Sequence, residues 1–186
     1  MRVVAGIAKG HPLRAPKGTD TRPTSDRVKE ALFSSLQPLL PGARVLDLFA
    51  GSGALGIEAL SRGAEHATFV DSDRRARAAI DANLATTRLG DRATVISRTV
   101  GRTLAELAEE EAHFDLVVAD PPYGLGKDDL AAVLDGIVAV TDVGAQVRLE
   151  QSARMGGSVA WPAGLEHTGT RRYGDTIILE AERTDA

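Results

Sequence analysis

Asp120-Pro121-Pro122-Tyr123 is the stretch with most capacity for chemistry, because it sets a carboxylate, a conformationally restricted carbonyl and an aromatic ring side by side. The Asp120 carboxylate and the Pro121 carbonyl can accept both N–H bonds of an amino group conjugated to a base ring. Such a nitrogen is a poor nucleophile because its lone pair is delocalised, and two acceptors localise density toward an electrophile. The consecutive prolines restrict the torsions that aim the carbonyl. Tyr123 offers a flat face to an extruded base, since a stacked base must leave its stack before an enzyme can reach it. A Pro-Pro turn also ends strands in proteins with no such chemistry, so a second feature is needed.

That feature lies upstream. Val45 to Phe49 reads as a strand running through Gly51, Gly53 and Gly56 into an apolar helix, the place where an open α/β sheet binds ligands. Glycines there let the backbone turn tightly and approach a ligand closely. The loop fits G-x-G-x-x-G and Asp71 follows Gly51 by twenty residues, so an NAD-dependent oxidoreductase is one reading. Asp47 favours the other, S-adenosylmethionine, because a carboxylate inside the strand would neutralise an ammonium group and repel a pyrophosphate. Asp71 can accept hydrogen bonds from two ribose hydroxyls in either reading; its purely structural role would be to cap the helix before Arg74. The candidate cofactor set is Asp47, Phe49, Gly51, Gly53, Asp71 and Ser72, and the candidate catalytic set is Asp120, Pro121, Pro122 and Tyr123.

The elements that must position these residues alternate. Strand-like runs at 44–49, 67–70, 93–97, 115–119 and 145–150 are separated by helical patterns from Ala54 and over 74–88, 103–110 and 128–140. This predicts a parallel sheet with helices on both faces. Residues 165–172 and 176–182 are strand-like and separated by Tyr173-Gly174-Asp175, a terminal antiparallel hairpin. Ahead of the sheet, Thr24 or Ser25 caps a helix that carries Val28, Ala31, Leu32 and Leu36 until Pro38 and Pro41 stop it. Gly6, Gly10 and Pro12 break residues 2–16 into a small hairpin, and Gly18 to Arg22 reads as a loop.

The chain has 186 residues, of which 43% are hydrophobic and 26% charged, which suits one globular domain. Cysteine is absent and the four histidines are dispersed, which excludes disulfides, thiolate metal sites and a local histidine metal motif. The N-terminus lacks the apolar core of a signal peptide and no run is long enough to span a membrane. A cytoplasmic location with no membrane or metal partner is expected, and a monomer is favoured. The net charge of −4 argues against nucleic acid, yet residues 1–30 hold seven basic groups against three acidic ones, and the remainder fifteen against twenty-three. A basic arm can hold phosphates while an acidic body does chemistry.

The two motifs resemble those of the amino-methyltransferase superfamily. Arg22-Pro23-Thr24-Ser25-Asp26-Arg27-Val28-Lys29-Glu30-Ala31-Leu32-Phe33 narrows this, for the segment is similar to that of the bacterial 16S rRNA guanine-N2 methyltransferase family known as RsmD. Val4–Gly10 and the terminal hairpin share the resemblance, which covers most of the chain. It implies a Rossmann-like, seven-stranded α/β sheet with the last strand antiparallel, S-adenosylmethionine as cofactor, and a guanine of 16S rRNA in a 30S subunit or assembly intermediate as substrate. Residues 1–21 would be a basic N-terminal hairpin extension and residues 22–186 the methyltransferase domain. Arg2, Lys9, Arg14, Lys17 and Arg22 would contact RNA, and the Arg27 guanidinium or a Thr24 or Ser25 hydroxyl would hold the methionine carboxylate of the cofactor. Methyltransferases often carry Asp or Asn at the end of the third strand; Ile96-Ser97-Arg98 departs from that, leaving Ser97 or backbone groups for the adenine. Related sequences with the same tetrapeptide methylate adenine N6 in DNA, and a non-catalytic RNA-binding assembly protein could keep the fold, so these readings stay open beside guanine.

Overall fold

Strand β1 (Arg44–Leu48) lies at the centre of the sheet, and apart from Asp47 its buried residues are apolar, as a strand covered on both faces requires. The computed structural model describes residues 1–16, 26–155 and 159–185. Parallel to β1 run β2 (His66–Val70) and β3 (Ala93–Ile96) on one side, and β4 (Phe114–Ala119) and β5 (Thr141–Ser152) on the other. The hairpin of β6 (Leu165–Tyr173) and β7 (Thr176–Arg183) completes a seven-stranded sheet in the order β3-β2-β1-β4-β5-β7-β6, with β7 antiparallel to both neighbours. The expected α/β class and antiparallel last strand are thus found. Chain direction across the sheet switches between β1 and β4, which opens a crevice beyond their carboxyl ends.

Helices α1 (Asp26–Leu36), α2 (Ala54–Ser61) and α3 (Arg74–Thr87) pack on one face, and α4 (Val100–Glu109) and α5 (Lys127–Ala139) on the other, each face with its own apolar core. Every residue of α2 is buried, its apolar residues in the core of that face and its Glu58 and Ser61 bonded to the N-terminal segment. Gly56 permits its close approach to β2, because a Cβ there would lie 2.3 Å from Phe69 Cε1.

Two boundaries differ from the sequence pattern by three residues or more. Helix α4 begins at Val100 rather than Thr103, since burial of Val100 outweighs the low helix propensity of Gly101. Strand β5 begins at Thr141 rather than Ala145, pairing Thr141 with Phe114 before a register shift that ends at Leu116–Gln146. Gly144, at φ 91°, lies inside that irregular stretch, so a residue that reads as a turn is an internal irregularity of the strand. Among the described residues, no helix is long and apolar enough to cross a membrane.

The N-terminal segment folds as a tight loop with one bridge pair, Arg2 with Pro12; Pro12 has no N–H to extend the ladder. Val3, Ala8 and Leu13 are buried in the helical core of the α1–α3 face. The N–H groups of Val4 and Ala5 donate to the buried Glu58 carboxylate at 2.8 and 2.9 Å, and that of Ala8 donates to Ser61 Oγ at 3.0 Å. Glu58 also meets Arg62 at 2.8 Å. Lys29, counted by sequence with the basic arm, is fully buried; its Nζ donates to the Arg2 carbonyl and lies 3.5 Å from Asp26. Burial lowers the Lys29 pKa, while Glu58 and Asp26 hold it up.

Glu58→Ala would leave two backbone N–H groups and the Arg62 Nε without their acceptor. We expect a loss of about 3–5 kcal/mol in urea unfolding, the range for breaking a buried charged pair; a loss below about 1 kcal/mol would mean that the network is dispensable.

Candidate functional site

The crevice holds a cavity of about 430 Å³, within the range of small-molecule and cofactor sites. From the end of β1 it is lined by Asp47, Phe49, Gly51 and Ser52; from β2 by Asp71, Ser72 and Asp73; from β4 by Asp120, Pro121, Pro122 and Tyr123. The two motifs, more than sixty residues apart in the chain, therefore share one cavity. Gly53 stands behind it as the left-handed N-cap of α2, at φ 74°.

The β1 loop is built around backbone conformations that side chains resist. Phe49 adopts φ 58° and Gly51 φ 55°; for a bulky residue such as Phe49 this costs on the order of 1–3 kcal/mol. Internal acceptors consume the glycine N–H groups. Gly51 N donates to Asp71 Oδ2 at 2.8 Å, Gly56 N to Asp47 Oδ2 at 2.9 Å, and Gly53 N to the Ala50 carbonyl at 2.7 Å. In a dinucleotide site such groups face the pyrophosphate; here they orient two carboxylates. Asp71 also accepts from Asp73 N at 2.9 Å, and the helix-capping role passes to Asp73, which accepts from Arg75 N at 2.8 Å.

Four aspartates line the cavity, and Lys, Arg and His are absent from its lining among the described residues. Burial raises the Asp47 pKa well above 3.8, the Gly56 N–H opposes this, and the Asp120 and Asp71 charges add to it. The Asp120 side chain stands at the mouth, partly open to water, but the protein around it removes much of its hydration. This desolvation, with the Glu150 charge second, pushes its pKa up to about 8. Its carboxyl receives no hydrogen bond among the described residues. The Pro122 carbonyl accepts from Leu125 N at 2.9 Å, fixing the turn, and the Pro121 carbonyl has no such donor among the described residues. Tyr123 is 71% exposed at the rim. The arrangement suits a ligand that carries positive charge inward and presents a flat, amino-bearing group at the mouth.

Other expected residues lie elsewhere. Arg27 is exposed on α1 and Ser97 is exposed after β3, and neither lines the cavity. Arg2, Lys9 and Arg14 are exposed on the N-terminal segment, Arg2 paired with Asp26 at 3.2 Å. Thr24, Ser25, Lys17 and Arg22 lie outside the described residues. Sequence reasoning missed Met1, Ala15 and Pro16, which form a wall of the cavity, and Asp73 and Ala76. The wall has no motif; Asp73, at capping spacing before Arg74, was within reach of it.

Sheet order, antiparallel last strand and crevice together define a Rossmann-like domain of the methyltransferase fold. The family described as "Conserved hypothetical protein 95" matches residues 1–181, and the chain belongs to that family. It is 50% identical to YlbH of Bacillus subtilis over 123 residues, 66% of this chain and 67% of that protein. It is 40% identical to ribosomal RNA small subunit methyltransferase D of Escherichia coli over 126 residues, 68% of this chain. That match spans 62% of the relative's length, a little under two thirds. The solved structure of Escherichia coli yhhF has a TM-score of 0.84 at 30% identity, covering 100% of this chain and 99% of that one. The family resemblance carried by Arg22–Phe33 is borne out.

A carboxyl whose folded pKa exceeds its unfolded value holds an extra proton in the folded state between the two. Ligand-free stability should therefore fall as pH rises from 3.8 to about 8. Urea midpoints across that range should show the decline, and Asp120→Asn should make it shallower throughout. An unchanged slope in that variant would place Asp120 at the ordinary carboxylate value.

Proposed function

We propose that the protein transfers a methyl group from S-adenosylmethionine to the exocyclic N2 of a guanine in 16S rRNA, within a 30S subunit or assembly intermediate. The observation that carries this reading is the placement of Asp120-Pro121-Pro122-Tyr123 at the mouth of an acidic cavity floored by Asp47 and the β1 glycine loop. The small subunit rRNA named for the Escherichia coli relative supports the choice of nucleic acid.

When bound, S-adenosylmethionine supplies an electrophilic methyl group on a positively charged sulfur. The acidic lining favours that cation and disfavours a pyrophosphate. Asp47 has Oδ1 available for the ammonium while Gly56 N holds Oδ2, and Asp71 keeps further lone pairs for the ribose hydroxyls. Thr24 or Ser25 would take the carboxylate, as the family resemblance implies.

Tyr123 receives the extruded guanine on its exposed ring, and Asp120 with the Pro121 carbonyl accepts its two amino N–H bonds. A positive charge nearby stabilises the ionised form of Asp120, which then accepts rather than donates. As the N–C bond forms and the S–C electron pair stays on sulfur, positive charge moves to the nitrogen. Asp120, with the affinity for protons that its surroundings give it, or water takes the released proton. Most of the acceleration comes from orientation and in-line approach. Arg2, Lys9 and Arg14, with Lys17 and Arg22 in the same stretch, would hold RNA phosphates.

Labelled methyl groups should pass from S-adenosylmethionine into under-modified 30S subunits, with Asp120→Ala slower by a factor of about 100 or more. Nucleoside analysis should yield N2-methylguanine. N6-methyladenine as product would contradict the guanine assignment, and full transfer by Asp120→Ala would contradict the chemistry.

A further inference from the structure

Asn83 is buried in the middle of α3, with 1% of its surface exposed, and has no part in the motifs. An asparagine is a poor helix former at such a position unless its amide is satisfied. Its Oδ1 accepts from Arg14 N at 2.8 Å, and its Nδ2 donates to the Arg14 carbonyl at 2.9 Å and to the Ser52 carbonyl at 2.8 Å. One side chain thus closes a two-bond ring with the Arg14 backbone and reaches across to the β1 glycine loop. Ala15 and Pro16, which follow Arg14, line the cavity, as does Ser52 of the glycine loop. Met1 belongs to the same wall, its Sδ accepting from Ser52 Oγ at 3.7 Å.

We infer that Asn83 is a positioning residue for the cofactor, setting the gap between the Ala15-Pro16 wall and the glycine loop by holding both from one buried amide. This rests on the proposed S-adenosylmethionine site. The N-terminal segment then has two functions: its exposed basic side chains face outward, while its backbone closes the cavity. Removing the amide leaves one N–H and two carbonyls without partners, and the wall loses its register with the loop while the four aspartates and the Asp120–Tyr123 turn stay in place.

The test compares wild type with Asn83→Ala and Asn83→Asp; the second keeps the acceptor for Arg14 N but loses both donations. Calorimetric affinity for S-adenosylmethionine should fall at least tenfold in both, while kcat at saturating cofactor on 30S subunits falls far less than KM for the cofactor rises. Hydrogen exchange should show the Arg14 amide unprotected in Asn83→Ala, with the Val3 and Gly10 amides, which donate to His11 and Val3 carbonyls, still protected. Unchanged affinity, or a uniform loss of protection with kcat and KM equally damaged, would overturn the inference. A wild-type protein that binds no S-adenosylmethionine would instead remove the proposed function beneath it.

Discussion

Carboxyl groups crowded at the ends of three adjacent strands repel one another, and this protein gathers four of them around one cavity with no basic side chain among the described lining residues, Asp73 meeting Arg75 at 3.2 Å outside it. That electrostatic strain has to be held by the fold. Glycine N–H groups, which a dinucleotide site would turn toward phosphate, are turned onto Asp47 and Asp71 instead. Phe49 in the left-handed region shapes the same loop. Raised pKa values at Asp47 and Asp120 mark the charge left uncompensated, and a cationic ligand is the natural complement.

The packing behind the cavity follows from this need. A short, wholly buried α2 brings Gly56 against Phe69 and so places its N–H on Asp47. At the far end of α2, Glu58 and Ser61 capture the N-terminal segment, whose other end closes the cavity over the glycine loop. The segment that reads as a separate arm is therefore bound into the core of the domain by Val3, Ala8 and Leu13.

Much of this was legible in sequence because the relevant signals are local. Alternating strand and helix periods located the parallel sheet, and Tyr173-Gly174-Asp175 marked the closing hairpin. Asp47, Asp71 and Asp120 follow or interrupt apolar strands, where a carboxylate needs a reason. What could not be read depends on contacts between distant residues. Lys29 looks like one more surface charge until Glu58, Asp26 and the Arg2 carbonyl surround it. Ala15 and Pro16 are ordinary loop residues unless Asn83 is known to hold Arg14. The start of β5 was hidden because Gly144 signals a turn locally, whereas pairing with β4 carries the strand through it.

A cavity that selects its ligand by charge must distinguish S-adenosylmethionine from NAD. Titration calorimetry of the wild-type protein with S-adenosylmethionine and, separately, with NAD tests it most directly. Measurable binding of S-adenosylmethionine that weakens in Asp47→Asn, with none for NAD, is the predicted result; tight NAD binding with none for S-adenosylmethionine would contradict it.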